Sequence, residues 1–183
     1  MSPYRSPSSP LAALMEIAPP PAAAEHPDWP RTERALGSPL PSTYKLLVER
    51  YGCGRFGNHV RLFTPRRGVK DFDIVTNNEE YTGNMEDLWD GEPEAPEEIF
   101  EGSENKLLIW ADTDDGDHLT WLVRPDQDPE TWPVMAITSD ALRWEYHQMS
   151  CIDFMYGILT GNLESNVVRL PDNSIPGFRS LDL

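Results

Sequence analysis

The clearest helical pattern lies in residues 42–51. Its apolar side chains recur at i, i+3, i+4 and i+7, at Tyr44, Leu47, Val48 and Tyr51. Charged side chains occupy the opposite face and a glycine follows at position 52, so the pattern predicts an amphipathic helix that ends there. A shorter helix is predicted over 28–37, because Asp28 can cap its first turn and Gly37 can adopt the left-handed conformation at its end.

Two further segments carry a helical pattern. Residues 150–161 begin with the capping sequence S-x-x-D at Ser150 and Asp153 and end at Gly161. Their apolar residues surround the predicted helix, which indicates burial on most sides. Residues 71–91 have apolar side chains at broadly helical spacing, and a helix is predicted there although a glycine interrupts the pattern.

Alternation of apolar and polar residues replaces the helical period in the middle of the chain. Segments 106–113 and 118–125 flank the sequence Asp-Asp-Gly-Asp. The dipeptide Asp115-Gly116 is favoured in two-residue hairpin turns, since both central positions tolerate a positive φ. The pattern therefore predicts a β-hairpin.

Two more strands complete the predicted fold. One is predicted within 131–139, and the other at 59–63 as an edge strand, because Pro65 follows it. Helices at both ends with strands between them predict the α+β class. We expect one domain with a central, mostly antiparallel sheet flanked by helices.

Composition separates an N-terminal segment from the rest of the chain. Ten of the 18 prolines fall in the first 41 residues. Residues 1–26 are therefore expected to form a flexible Pro/Ala-rich leader, and residues 27–183 a single folded domain. No window approaches the ~20 apolar residues of a membrane span. The two cysteines form no CxxC motif, which favours a reduced, cytoplasmic location.

The net charge of −16 narrows the classes of partner. Nucleic acids and anionic membranes are disfavoured, because both are bound through basic surface. The acidic residues are concentrated in one part of the chain. Residues 86–117 contain thirteen Asp and Glu and one basic residue, Lys106. Solubility accounts for such charge, and so does an electrostatic surface for a basic partner; the sequence leaves both open.

The densest carboxylates follow the first hairpin strand, at Asp112, Asp114, Asp115 and Asp117, with His118 next. An EF-hand does not fit, because neither register places oxygen ligands at the required positions around Gly116. A hairpin turn explains the same residues, since Asp bonds its own backbone in turns. No catalytic residue, cofactor or metal is predicted. A metal-dependent hydrolase using Asp112, Asp114 and His118, with His59 or His147, is the weaker alternative.

The order of these features over 28–161 resembles the SUKH superfamily. The matching positions are Trp29 and Glu33, Leu40-Pro41, Tyr51-Gly52 with Gly54, Gly116-Asp117, and Trp132. The resemblance implies one α+β domain with a central sheet and no catalytic residues. Bacterial members are similar to immunity proteins, which bind and silence a toxin domain, in many cases a nuclease with a basic cleft.

Taken together, the resemblance and the charge predict a protein-binding module that neutralises a cognate, basic toxin. The expected contacts are carboxylates of residues 92–104, within an acidic insert at residues 86–105, and of the hairpin turn (residues 112–117). The candidate residues are Glu92, Glu94, Glu97, Glu98, Glu101, Asp112, Asp114 and Asp115. A regulatory or scaffold adaptor, suggested by eukaryotic relatives, is the alternative. The sequence predicts neither the identity of the toxin nor the oligomeric state.

Overall fold

The computed structural model describes residues 4–22, 26–66, 69–89, 96 and 104–181, without the side chains of 82–88. Its helices are α1 (Pro10–Ile17), α2 (Trp29–Leu36), α3 (Ser42–Tyr51), α4 (Ile74–Trp89) and α5 (Cys151–Thr160). Its strands are β1 (Gly54–Phe56), β2 (Val60–Leu62), β3 (Lys106–Thr113), β4 (His118–Val123), β5 (Val134–Ile137), β6 (Trp144–His147) and β7 (Phe178–Ser180). Within these residues, no helix has the length and apolar character needed to cross a membrane.

The helix ends follow the capping chemistry that the sequence predicts. The Asp28 side chain accepts a hydrogen bond from the Arg31 N–H at 3.2 Å at the start of α2, and Gly37 ends that helix with φ of 62°. The Ser150 hydroxyl accepts from the Asp153 N–H at 3.1 Å at the start of α5. Each cap satisfies a backbone group that the helix itself leaves unpaired. The four predicted helices are therefore confirmed as α2 to α5.

The seven strands of the described residues form one antiparallel sheet in the order β6-β5-β4-β3-β2-β1-β7. The predicted α+β domain, the β3–β4 hairpin at the centre of the sheet and the β5 strand are confirmed. The prediction that 59–63 is an edge strand was wrong, because β2 pairs with both β1 and β3. Pro65 lies beyond the end of β2 and removes no N–H from the ladder.

Helices cover both faces of the sheet. On one face, α4 crosses from β3 toward β6 and packs Trp89 against Trp144, with ring centroids 6.0 Å apart. On the other, α3 packs Tyr44 edge-on against Trp121 at 5.1 Å, and α5 lies beside α3. Three of these aromatic residues, Trp89, Tyr44 and Trp121, are buried, and Trp144 is partly exposed. Burial of each large apolar side chain stabilises the fold by roughly 1.5–3 kcal/mol.

Residues 4–22 pack against the domain, which corrects the expectation of a flexible leader for this part of residues 1–26. Helix α1 lies on α5, and Leu14 and Ala18 are fully buried. The Tyr51 hydroxyl donates to the Ala18 carbonyl at 2.8 Å. The apolar run of α1 is short, but α5 is apolar on most sides and provides a surface for it. The proline-rich residues flanking α1 are thus anchored to the fold by its buried face.

Candidate partner-binding surface

The turn between β3 and β4 differs from the predicted two-residue turn. The Thr113 N–H bonds the Asp117 carbonyl at 2.9 Å, so three residues form the loop. Gly116 alone among them has a positive φ, 86°, and the Gly116 N–H bonds the Thr113 carbonyl at 3.0 Å. A type I turn followed by a left-handed glycine is the usual three-residue hairpin, and it needs no positive φ at the preceding aspartates.

Asp112 does not belong to an exposed acidic surface. The residue is only 3% exposed, and its side chain is held by Arg61, its cross-strand neighbour on β2. The Arg61 Nε donates to Asp112 Oδ1 at 2.7 Å, and Arg61 Nη2 donates to Oδ2. Burial raises the pKa of Asp112, while the Arg61 guanidinium opposes that rise. Such a two-bond pair fixes both side chains, so we assign Asp112 a structural role beneath the turn.

Asp117 is also turned inward. Its Oδ1 accepts a hydrogen bond from the Ser139 N–H at 3.2 Å, which ties the hairpin turn to the segment that follows β5. Burial raises the pKa of Asp117, and the bond from Ser139 opposes the rise. Two of the four aspartates of the turn therefore support its conformation and are unavailable to a partner.

Asp114 and Asp115 are the exposed carboxylates of the turn. The Asp114 side chain is 44% exposed and forms an ion pair with Arg55 of β1. The Asp115 side chain is 73% exposed, and its Oδ2 lies 3.8 Å from the Nε2 of the buried His59. Because Asp114 is already partly neutralised by Arg55, Asp115 provides most of the negative charge that this turn presents to solvent.

The larger group of candidate carboxylates is outside the described residues. It consists of Glu92, Glu94, Glu97, Glu98 and Glu101 of the acidic insert. Helix α4 ends at Trp89, within the first residues of the acidic insert, and β3 begins at Lys106 directly after the insert. The contact of these five residues with a partner therefore stays a prediction.

The side chains of the hydrolase alternative are not assembled into a reactive group. The Asp112 carboxylate is bonded to Arg61, and the ring of His118 packs at a tilt against Tyr81 of α4 with a centroid distance of 5.2 Å. Burial, with a contribution from Arg61, lowers the pKa of His118 to about 4. Asp114 pairs with Arg55 instead of approaching His118. Over the described ranges, no group of three His, Cys, Asp or Glu side chains could hold a metal ion.

The other two histidines of that alternative each contact a different carboxylate. His59 contacts Asp115 beside the turn, whereas His147 bonds Glu145 at 3.0 Å on β6. His147 also packs against Phe154 of α5, on the face of the sheet opposite to the one where His118 meets α4. His147 therefore cannot share a site with His118, because the sheet lies between them.

Arg61, which pairs with Asp112, is the residue of this region that sequence reasoning missed. It lies in the alternating segment 59–63, and its position 51 residues before Asp112 hides the pair from any local pattern. The signal available was the charged residue itself, placed between two apolar residues of a strand. A charge in such a position needs a partner of opposite sign if the strand is interior.

A protein-family model matches the chain. It is SUKH_6, described as SMI1-KNR4 cell-wall, and it covers residues 28–150, from the cap of α2 to the cap of α5. The matched range is more than half of the 183 residues and includes strands β1 to β6. No curated protein and no solved structure matches the chain.

Proposed function

The chain belongs to the SUKH family, and on that premise we propose that it is a non-catalytic immunity protein that binds and neutralises a cognate toxin. The observation that carries the proposal is this family match in a chain of net charge −16. A strongly acidic protein associates with a basic partner rapidly, because complementary charge steers the encounter. The proposed partner is a basic toxin domain, such as a nuclease with a basic active-site cleft. The proposed place of binding is the cytoplasm.

The proposed contact surface combines the exposed part of the hairpin turn with the acidic insert. From the turn it takes Asp114 and Asp115; from the insert it takes Glu92, Glu94, Glu97, Glu98 and Glu101. Asp112 acts beneath this surface by holding Arg61 and the end of β3. Carboxylates on such a surface would occupy the positions where the phosphates of a nuclease substrate sit.

The decisive experiment uses the product of the adjacent gene. An immunity gene lies beside the gene of its toxin, so the neighbouring product is purified and its toxicity or nuclease activity is measured with and without this protein. We expect stoichiometric complex formation and loss of the activity. An adjacent product that is no toxin, or a toxin that this protein neither binds nor inhibits, would contradict the proposal and favour a regulatory adaptor.

Charge reversal locates the surface. We expect the double variant Asp114→Lys with Asp115→Lys to weaken inhibition about tenfold or more, because it replaces attraction by repulsion at the contact. Glu164→Lys with Asp172→Lys is the matched control: both residues are exposed and the change in net charge is the same. Equal inhibition by the two double variants would remove the hairpin turn from the proposed surface.

A further inference from the structure

The turn between β5 and β6 (residues 138–143), called the β5–β6 turn below, lies beside the hairpin turn. Ile137 at the end of β5 pairs with His118, the first residue of β4 after the hairpin turn. The Asp117 side chain of the hairpin turn accepts a hydrogen bond from the Ser139 N–H at 3.2 Å. The two turns therefore share one end of the strands and are joined to each other.

Leu142 places an apolar side chain among charged groups on this surface. The residue is 64% exposed. Asp140, two residues before it, is also exposed. Hydrogen bonds from Thr138 and from the Leu142 N–H lower the pKa of the Asp140 carboxyl group, and Arg143 contributes. At neutral pH this carboxylate therefore adds a negative charge to that of Asp115 on the hairpin turn.

The backbone of the β5–β6 turn is strained and firmly held. Ala141 has a φ of 58°, in the left-handed region that a residue with a Cβ atom rarely adopts. The residue is buried, and its carbonyl accepts a hydrogen bond from Trp89 Nε1 at 2.7 Å. The Thr138 N–H closes the turn by bonding the Arg143 carbonyl at 2.9 Å. Strained backbone persists only where its surroundings fix it, and such positions cluster at functional sites.

Other features of the fold meet at the same end of the strands. Asn58 is the second non-glycine residue with a positive φ in the described part of the chain, at 55°, and lies in the turn between β1 and β2. The carbonyl of the next residue, His59, accepts from the Asp114 N–H at 3.1 Å, which joins that turn to the hairpin turn. Trp89, which bonds Ala141, is one of the first residues of the acidic insert. Three turns and the beginning of the insert thus lie close to the proposed contact surface.

We infer that Leu142 is an apolar anchor that enters an apolar depression of the toxin bordered by basic residues; the inference rests on the proposed function. A single exposed leucine is common on protein surfaces, but here a strained and fixed turn presents it beside the hairpin turn. Burial of its side chain supplies binding free energy that exposed ion pairs alone do not. Interfaces combine an apolar centre with a polar rim, and a turn that is fixed before binding loses little entropy on docking.

Replacement of Leu142 by Glu distinguishes an apolar anchor from general charge attraction. If charge alone determined binding, one more carboxylate would strengthen the complex with a basic toxin. If Leu142 enters an apolar depression, the buried carboxylate weakens the complex, mainly through faster dissociation. The dissociation rate constant of the complex with the product of the adjacent gene is measured by surface plasmon resonance. We expect it to rise about tenfold or more for Leu142→Glu, and about threefold or more for Leu142→Ala, which only removes apolar surface.

Leu46→Glu is the matched control. Leu46 is an exposed leucine of α3, and Thr43 at the start of that helix bonds Glu130 between β4 and β5, at the opposite end of the strands. The change in charge is the same, and urea denaturation checks that each variant keeps the stability of the wild-type protein. We expect Leu46→Glu to dissociate at the wild-type rate. A wild-type rate for either Leu142 variant, or an equal rise for Leu46→Glu and Leu142→Glu, would overturn the inference.

The wild-type complex separates this inference from the function on which it rests. If the wild-type protein neither binds nor inhibits the product of the adjacent gene, the proposed function fails and the inference fails with it. If the wild-type protein binds and inhibits that product while Leu142→Glu dissociates no faster, Leu142 is not an anchor and the proposed function stands.

Discussion

Cross-strand pairing arranges titratable residues in one row across the sheet. The row runs from β7 to β4 through Arg179, Arg55, Arg61, Asp112 and His118. Like charges directly opposite each other destabilise a sheet. Here Asp114 and Asp112 offset two of the three arginines. Asp112 therefore stabilises the sheet instead of facing a partner, whereas Asp114 stabilises the sheet and remains part of the proposed contact surface. This double role could not be predicted from a cluster of aspartates alone.

Breaking the Arg61–Asp112 pair is expected to lower stability strongly. Replacing Arg61 by Met keeps an unbranched side chain but removes the guanidinium that lies over the ring of Phe72 and leaves Asp112 buried without its paired cation. We expect a loss of about 3 kcal/mol in the free energy of unfolding at pH 7, measured by urea denaturation. Arg169→Met, at an exposed position, should change it by less than about 0.5 kcal/mol.

The loss from Arg61→Met should shrink as the pH falls. Burial raises the pKa of Asp112, and without Arg61 nothing of similar strength opposes that rise. A carboxyl group with a raised folded-state pKa binds its proton more tightly when folded, so protonation favours folding. A deficit that is the same at pH 7 and pH 5, or that is below about 0.5 kcal/mol at pH 7, would contradict the assigned role of the pair.

The lowered pKa of His118 is expected to make the free energy of unfolding depend on pH in a second way. Its pKa is about 4 in the folded protein and near 6.5 when unfolded, so the unfolded chain binds the proton first as the pH falls. Stability should therefore decline between about pH 6.5 and 4, by roughly 2 kcal/mol for a residue that is only partly buried. We expect His118→Gln to flatten this part of the urea-denaturation profile, whereas the exposed His26→Gln should follow the wild-type curve.

At the scale of elements, one physical factor separates the elements that the sequence predicted from those that it did not. It is whether the contacts that stabilise an element are local in the chain. Helices α2 and α5 and the β3–β4 hairpin depend on contacts and caps within a few residues, and all were predicted. Strands β6 and β7 have four and three residues and form the two edges of the sheet in the described part of the chain. β7 pairs with β1, more than a hundred residues earlier, and no local pattern reports such a partner.

Attachment of β7 to the sheet depends on a glycine of β1. A Cβ atom on Gly54 would collide with the Arg179 carbonyl and the ring of Phe178. We expect Gly54→Ala to lower stability by about 1–3 kcal/mol and to speed hydrogen exchange of the Leu181 amide, which bonds the Cys53 carbonyl. Gly177→Ala has room for a methyl group and should leave both measurements near their wild-type values. Unchanged exchange in Gly54→Ala would refute the close contact.

Helix α1 predicts that the N-terminal segment contributes to stability. Leu14 is fully buried, whereas Glu16 is exposed on the same helix. We expect Leu14→Ala to cost about 2–4 kcal/mol in the free energy of unfolding, and Glu16→Ala less than about 0.5 kcal/mol. Calorimetric or urea-induced unfolding that gives the same value for both variants would restore the view of residues 1–26 as an independent, flexible leader.

At the scale of the whole molecule, charge and fold have different origins. The α+β class follows from helices that cover both faces of one antiparallel sheet, and the pattern of apolar residues predicts it. The charge of −16 plays no part in that choice. It acts over the length of the molecule, where it steers association and weakens with added salt. Which carboxylates stay exposed depends on tertiary partners, and therefore only the structure removes Asp112 from the surface.

The central claim is that this acidic protein acts by docking on a basic toxin, and its most direct test is the association rate constant for the adjacent gene product as a function of salt. Stopped-flow fluorescence can follow the six tryptophans during complex formation. Electrostatic steering predicts rapid association, up to ~10⁸ M⁻¹s⁻¹ at low salt, that slows at least about tenfold between 20 and 500 mM sodium chloride. A rate constant that does not change with salt would contradict the claim.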